Sequence, residues 1–164
     1  MGGRPNWISP LETLGRWIWA RDEMNPDEFS REIERLKRLF PLGSSDQDWL
    51  DFLIYFGGGL LVRDEDVVSI GLFGFSHDIS LHILDGEGEP LDDGYLVFCD
   101  ISLPREPVKG YTEDTLAVAF GFEATGEREA GVYRFIEGGA PTLYCSSFRE
   151  LVDRLVAKDA RVLD

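Results

Sequence analysis

The stretch QDWLDFLIYFGGGLLVR, residues 47–63, contains the change of pattern that decides the fold class. Its first part places four large apolar residues on one face of a helix: Trp49, Phe52, Leu53 and Phe56. Glycines 57–59 then break the helical pattern, and glycine is a frequent helix terminator. Apolar residues typical of strands follow from residue 60. The sequence therefore predicts a helix that stops at the glycines and leads directly into a sheet.

Two helix signals precede this stretch. Ser9, Pro10 and Glu12 have the form of a capping box with proline at the first helical position, and they predict a short helix over residues 10–20. Its apolar side would be formed by Leu11, Leu14, Trp17 and Ile18. We expect this helix to dock on the core. The alternative is a partner-binding arm, because residues 1–22 hold three of the four tryptophans, Trp7, Trp17 and Trp19.

A second helix is predicted from the same kind of start signal, at Asn25, Pro26 and Glu28. Four apolar residues then recur at spacings of four, three and four: Phe29, Ile33, Leu36 and Phe40. Pro41 is expected to end this helix.

Beyond residue 60 the pattern favours strands. Seven segments are predicted to be extended: 60–63, 67–75, 78–84, 95–101, 115–122, 131–137 and 141–145. Gly138 and Gly139 favour a tight hairpin between the last two, and residues 92–94 form a further turn. Because no helical pattern separates these short runs, we expect a mostly antiparallel sheet.

The chain closes with a helix signal in which Ser147 and Glu150 form a capping box. The apolar stripe of this helix comprises Leu151, Val152, Leu155 and Val156. The order predicts an α+β fold with N-terminal helices, a central mostly antiparallel sheet and a C-terminal helix packed on the sheet. We expect one domain over residues 1–164, with the tryptophan-rich segment 1–22 docked on it or flanking it.

Composition and charge restrict the function. The chain has 43% apolar residues, which is ordinary for a globular protein, and its 31 acidic and 16 basic side chains give a formal net charge of −15. Such a charge repels nucleic acid and anionic lipid, whereas it attracts a basic protein. Maintenance of solubility is the alternative explanation of the charge.

Cys99 and Cys145 are the only cysteines, and each lies in an apolar extended segment. This pattern predicts two buried, reduced thiols rather than a disulfide framework or a metal site. No signal-peptide pattern and no apolar run of membrane-spanning length occurs in the sequence. We therefore expect a cytoplasmic protein.

Residues that resemble catalytic or metal-binding groups do not form a convincing set. Ser76, His77 and Asp78 are adjacent in an extended segment, so their side chains alternate between faces and cannot form a hydrolytic triad. His77 and His82 are an odd number of residues apart and would also face opposite sides of a strand. The sequence predicts no catalytic residues and no metal site.

A calcium loop and a phosphate loop are disfavoured for similar reasons. Acidic residues alternate between Asp85 and Glu89, but Pro90 stands where a calcium loop needs glycine, and Leu96 where it needs glutamate. The glycines at 57–59 follow a helix and precede a strand, which is the reverse of a phosphate-binding loop. No cofactor is expected.

Acidic residues cluster instead in predicted loops that are expected to line one rim of the sheet. This candidate partner-binding set comprises Asp64, Glu65, Asp66, Glu87, Glu89, Asp92 and Asp93. A charged rim of this kind suits the recognition of a protein partner.

Two sets of local motifs resemble a known family. An aromatic-faced helix after a proline ends in a Gly-Gly step, at Pro41, Trp49, Phe52, Leu53, Gly57 and Gly58. After a strand pair that contains Gly131, Val132 and Tyr133, the last helix opens with Ser146, Ser147, Phe148, Glu150, Leu151 and Val152. Together, over roughly residues 26–157, they resemble the SUKH superfamily of Smi/Knr-like domains.

The resemblance implies an α+β fold without catalysis. In bacteria it most often implies an immunity protein that blocks a cognate toxin, frequently a nuclease, and the acidic charge would suit a basic toxin. We therefore expect a protein-binding module with a protein partner, no direct contact with nucleic acid and no membrane association. The alternatives are a regulatory scaffold that acts through the N-terminal tryptophans, and an unrecognised enzyme with converging carboxylates.

Overall fold

The computed structural model of the chain combines helices with a single sheet. It describes residues 5–39, 47–63, 66, 68–72, 95–104, 115–123, 127–136 and 139–163. The helices are a 3₁₀ helix at Asn6–Leu14, α1 at Ala20–Glu23, α2 at Pro26–Leu39, α3 at Gln47–Phe56 and α4 at Phe148–Ala157. In the described ranges, no helix is long and apolar enough to cross a membrane.

In the described residues the sheet has seven strands in chain order, and all neighbouring strands are antiparallel. They are β1 Arg16–Trp19, β2 Gly59–Val62, β3 Ser69–Leu72, β4 Tyr95–Pro104, β5 Thr115–Glu123, β6 Val132–Ile136 and β7 Thr142–Cys145. The predicted α+β fold with an antiparallel sheet is therefore confirmed. The predicted strand 78–84 and the turn at 92–94 lie outside the described residues.

The predicted helix over residues 10–20 is wrong. The 3₁₀ helix starts at Asn6, its N-cap is Pro5 without a side-chain bond, and Pro10 lies inside it rather than at its start. The chain then becomes extended, and β1 pairs with β2 in the register Trp17↔Leu61. Gly15 makes this change possible, because its φ of 153° is rarely adopted by other residues. The aromatic and β-branched composition of Arg16–Trp19 favours the strand.

The other helix boundaries follow the predicted signals. Asn25 caps α2, since its Oδ1 accepts a hydrogen bond of 2.8 Å from the backbone N–H of Asp27. Gly57, with a φ of 76°, ends α3 in the left-handed conformation that favours glycine. Phe40 and Pro41, and the side chain of Leu36, lie outside the described residues.

The cap of α4 is confirmed with one difference. The hydroxyl of Ser147 accepts a hydrogen bond of 3.1 Å from the backbone N–H of Glu150. The carboxylate of Glu150 reaches back, but it accepts from the backbone N–H of Ser146, at 2.7 Å, rather than from that of Ser147. The first bond satisfies an N–H group that a helix start leaves without a partner, and the second binds the residue before the cap.

The core lies between one face of the sheet and the helices. A row of buried side chains crosses β2 to β5 in register, Leu61↔Ile70↔Ile101↔Val118. These residues belong to the same hydrophobic cluster as the buried faces of the 3₁₀ helix, α3 and α4. Cys99 and Cys145 are buried free thiols, as predicted, and burial raises the pKa of the Cys99 thiol.

Phe148, at the start of α4, is the residue through which these elements meet. It is fully buried, and its ring lies 5.9 Å from Trp7, 5.2 Å from Phe52 and 5.6 Å from Phe98 between centroids. Phe98 is available for this contact because a bulge in β4, between Val97 and Cys99, shifts the register there. The N-terminal segment, α3, the sheet and α4 therefore share one aromatic contact group.

Phe148→Ala is expected to lower the free energy of unfolding by about 3–5 kcal/mol, because it leaves a cavity among three aromatic rings. Urea unfolding followed by tryptophan fluorescence measures the loss. The control is Ile54→Ala on α3, where the side chain is 36% exposed and a much smaller loss is expected. Equal losses in the two variants would contradict the central position of Phe148.

Candidate functional site

The structure describes one member of the predicted acidic rim. Asp66 lies between β2 and β3. The other candidates lie outside the described residues: Asp64, Glu65, Glu87, Glu89, Asp92 and Asp93.

The carboxylate of Asp66 is engaged within the protein. It accepts two hydrogen bonds from the Arg63 guanidinium, at 3.1 Å from Nε and 2.7 Å from Nη2. It also accepts one of 3.3 Å from the backbone N–H of Val68, and Arg161 Nη2 lies 3.4 Å from its Oδ2. The bonds from Arg63 are the main reason that the pKa of Asp66 is below its ordinary value.

Arg63 links three separate parts of the chain. Besides Asp66, it binds Asp159 through Nη1 and Nη2 at 2.8 and 3.0 Å, and Nη1 also donates to the backbone oxygen of Leu14 at 3.2 Å. These bonds account for all the N–H groups of a guanidinium. The side chain is only 9% exposed, and its carboxylate partners raise its pKa. The hydrogen bonds of Arg63 therefore connect the end of β2 to the 3₁₀ helix and to the turn after α4.

The residues of the family-like motifs have structural positions. Trp49 is 1% exposed, and its ring packs against Phe98 and Phe122 with centroid distances of 6.0 and 5.3 Å. Gly57 and Gly58 both have positive φ at the end of α3. Ser147 and Phe148 form the start of α4, as described above. Pro41 lies outside the described residues.

The N-terminal tryptophans pack against the core. The rings of Trp17 and Trp19 are stacked, 5.0 Å apart, and Trp19 lies 4.4 Å from Phe56. The indole N–H of Trp17 donates to the backbone oxygen of Leu11 at 2.8 Å. The Trp19 ring lies against Gly59, where a Cβ atom would come within 2.5 Å of it. Sequence reasoning identified Gly59 only as part of a helix stop, and the close approach of Trp19 gives it a second role.

A groove runs along β7, which is the last strand of the sheet in the described residues. We call it the β7 groove. It has a volume of about 320 Å³ and is lined by Glu129, Ala130, residues 143–146, Glu150 and Arg154. Leu143 is 43% exposed. No sequence signal predicted this groove, because its walls come from a turn, a strand end and a helix that are separate in the chain.

The side of the β7 groove that α4 forms carries ionic contacts. Arg154 Nη1 donates to the backbone oxygen of Tyr144 at 2.7 Å, and Arg154 Nη2 lies 3.7 Å from Glu150. The guanidinium carbons of Arg134 and Arg154 each lie 4.8 Å from the centroid of the Tyr144 ring, within cation–π distance. The hydrogen bond from the backbone N–H of Ser146 is the main cause of a lowered pKa of Glu150, which is therefore ionised at neutral pH.

Among the residues whose positions are described, no group of three or more His, Cys, Asp or Glu side chains is placed to hold a metal ion. Ser76, His77, Asp78 and His82 lie outside the described residues, as does the segment 85–89.

Comparisons with known proteins found no match to a family model, to a curated protein or to a solved structure.

Asp66→Asn is expected to lower the free energy of unfolding at pH 7 by about 1 kcal/mol, because charge-assisted bonds to Arg63 are lost. The folded pKa of Asp66 lies below the ordinary value of 3.8, so its contribution is complete above that value and disappears as the pH falls through the folded pKa. Urea unfolding should therefore show a gap between variant and parent at pH 7 that becomes smaller at about pH 2.5.

Asp153→Asn is the control for this experiment. Asp153 is exposed on α4, and its replacement should change the stability by less than about 0.5 kcal/mol at either pH. A similar effect of the two substitutions at pH 7 would show that the bonds of Asp66 to Arg63 do not stabilise the fold.

Proposed function

We propose that the chain is a non-catalytic protein-binding module that recognises a basic protein. The observation that carries the proposal is the formal net charge of −15. A field of this sign accelerates the encounter with a basic protein and opposes contact with phosphate backbones and anionic membranes. The cytoplasm is the compartment in which we expect the partner to be bound.

The narrower proposal is an immunity protein of the SUKH type that neutralises a basic toxin. It rests on the resemblance of the sequence motifs, and the positions of the motif residues are compatible with it. Trp49 and Phe148 are buried in the core, and Gly57 and Ser147 form helix boundaries. These are structural roles, so the surface that meets the toxin would be formed by other residues, first among them those of the predicted acidic rim.

The net charge should make the association rate constant depend on the salt concentration. After capture of a partner by the tagged protein and its identification by mass spectrometry, the purified pair is mixed in a stopped-flow instrument at about 0.05 M and about 0.5 M salt. We expect the association rate constant to fall at least about tenfold at the higher salt, because screening shortens the range of the attraction. An association rate constant that does not change with salt would contradict recognition by charge. If co-expression of the chain does not rescue cells that produce the partner, that result would contradict neutralisation of a toxin.

Paired variants separate the acidic loops from the total charge. Asp92→Asn with Asp93→Asn removes two charges from the predicted rim, and Asp22→Asn with Asp153→Asn removes two from the described helices α1 and α4. We expect the first pair to slow association several-fold more than the second, because complementary charges act most strongly at short range. Equal effects of the two pairs on the association rate would show that the attraction comes from the net charge and not from the predicted rim.

A further inference from the structure

We propose that residues 158–163 form a strap that opens while the rest of the fold stays intact, and that the ion pair between Arg63 and Asp159 keeps it closed. The strap begins where α4 ends, and it reaches from Arg63, directly after β2, to Arg134 in β6. Both states would exist in the chain without a partner, so this device is independent of the proposed function.

The closed strap is part of the hydrophobic core. Ala160 and Val162 are both 0% exposed, and they belong to the same buried cluster as Leu155 of α4. The backbone oxygen of Val162 accepts a hydrogen bond of 2.8 Å from Nη1 of Arg134. Opening of the strap would therefore uncover apolar surface at this end of the core.

The turn that leads into the strap has a backbone conformation that its residues disfavour. Asp159 and Ala160 have φ values of 50° and 69°, and they are the only non-glycine residues with positive φ in the described ranges. The N–H of Ala160 donates to the backbone oxygen of Leu155 at 2.8 Å. The N–H of Asp159 donates to the backbone oxygen of Val156 at 3.4 Å, which completes the pattern of a Schellman motif. Glycine is the usual residue at the position of Asp159 in this motif, so two successive other residues make the closed turn unfavourable by itself.

The charge of Asp159 is also unfavourable at this place, because the C-terminus of a helix carries a partial negative charge. Arg63 offsets both costs, since its Nη1 and Nη2 bind the two carboxylate oxygens at 2.8 and 3.0 Å. The Arg63 side chain is only 9% exposed, so water and salt screen this pair less than an ion pair that is exposed at both ends. The second ion pair of the strap, Arg161 with Asp66, is longer at 3.4 Å, and its arginine is 51% exposed. Closure therefore depends mainly on Arg63 and Asp159.

Opening of the strap leaves Arg63 with other partners. Its two bonds to Asp66, at 3.1 and 2.7 Å, and its bond to the backbone oxygen of Leu14, at 3.2 Å, do not involve the strap. A buried guanidinium that lost all its partners would be strongly unfavourable, and these bonds prevent that loss. The strap can therefore open without the unfolding of β2 or of the 3₁₀ helix.

Hydrogen exchange of the ¹⁵N-labelled protein, followed by NMR at pH 7, tests whether the strap opens separately. The amides of Ala160 and Val162 are suitable probes, because they donate backbone hydrogen bonds of 2.8 and 3.0 Å. We expect them to exchange at least about tenfold faster than the slowest amides of β4 and β5, at rates that stay constant at low urea concentrations, because local opening exposes little surface. Equal exchange rates, or equal acceleration by urea, would show that the strap opens only with global unfolding and would overturn the proposal.

Removal of the charge of Asp159 tests the ion pair. Asparagine tolerates the left-handed conformation but has no charge, so we expect Asp159→Asn to speed exchange at Ala160 and Val162 about fivefold, with no change in β4 and β5. Asp153→Asn removes one charge from the exposed side of α4 and is the matched control, which should leave all exchange rates unchanged. Unchanged exchange of the strap in Asp159→Asn, or equal acceleration throughout the fold, would overturn the proposal.

A second pair of variants tests the unfavourable conformation of the turn. Asp159→Gly and Asp159→Ala both lack the charge, but alanine resists the left-handed conformation and glycine does not. We expect exchange at Ala160 and Val162 to be about fivefold faster in Asp159→Ala than in Asp159→Gly. Equal exchange rates in these two variants would contradict the claim that the closed turn is unfavourable by itself.

Discussion

The contact of Phe148 with three other aromatic rings is the interaction on which the rest of the structure depends. Trp7 comes from the 3₁₀ helix, Phe52 from α3 and Phe98 from the bulge of β4, so one buried ring connects the N-terminal segment, a helix and the sheet. Aromatic side chains bury large areas in few residues, and their edge-to-face contacts fix the relative orientation of the elements that carry them. Phe148 is itself held in place by the cap of α4, where Ser147 binds the backbone N–H of Glu150.

The acidic side chains divide into those that hold the structure and those available for a partner. Asp66 and Asp159 are bound by Arg63, which joins the end of β2 to segments at both ends of the chain. Recognition of a partner through the carboxylate of Asp66 would therefore compete with bonds that stabilise the fold. Glu129 is the opposite case, an exposed carboxylate that lines the β7 groove. The formal charge alone does not distinguish the two kinds.

Much of the fold could be predicted because local chemistry determines it: the capping side chains of Asn25 and Ser147 and the helix stop at Gly57 act within a few residues. β1 could not be predicted because the helical spacing of Leu11 and Leu14 continues to Ile18 in the strand, and only pairing with β2, far along the chain, determines the extended conformation. The candidate site was less predictable still. A sequence shows how many carboxylates there are, but not that Arg63 binds Asp66 or which residues line the β7 groove, because both depend on the assembled sheet.

Removal of the N-terminal tryptophans is the most direct test. If they are part of the core, and recognition belongs to the predicted acidic rim, a chain that lacks residues 1–22 should lose both β1 and the packing of Trp7 and Trp19 on Phe148 and Phe56. We predict that this chain shows no cooperative urea unfolding transition by far-UV circular dichroism. A shortened chain that unfolds cooperatively at an unchanged urea midpoint, and no longer captures the partner, would contradict this division and make the tryptophan segment the binding arm.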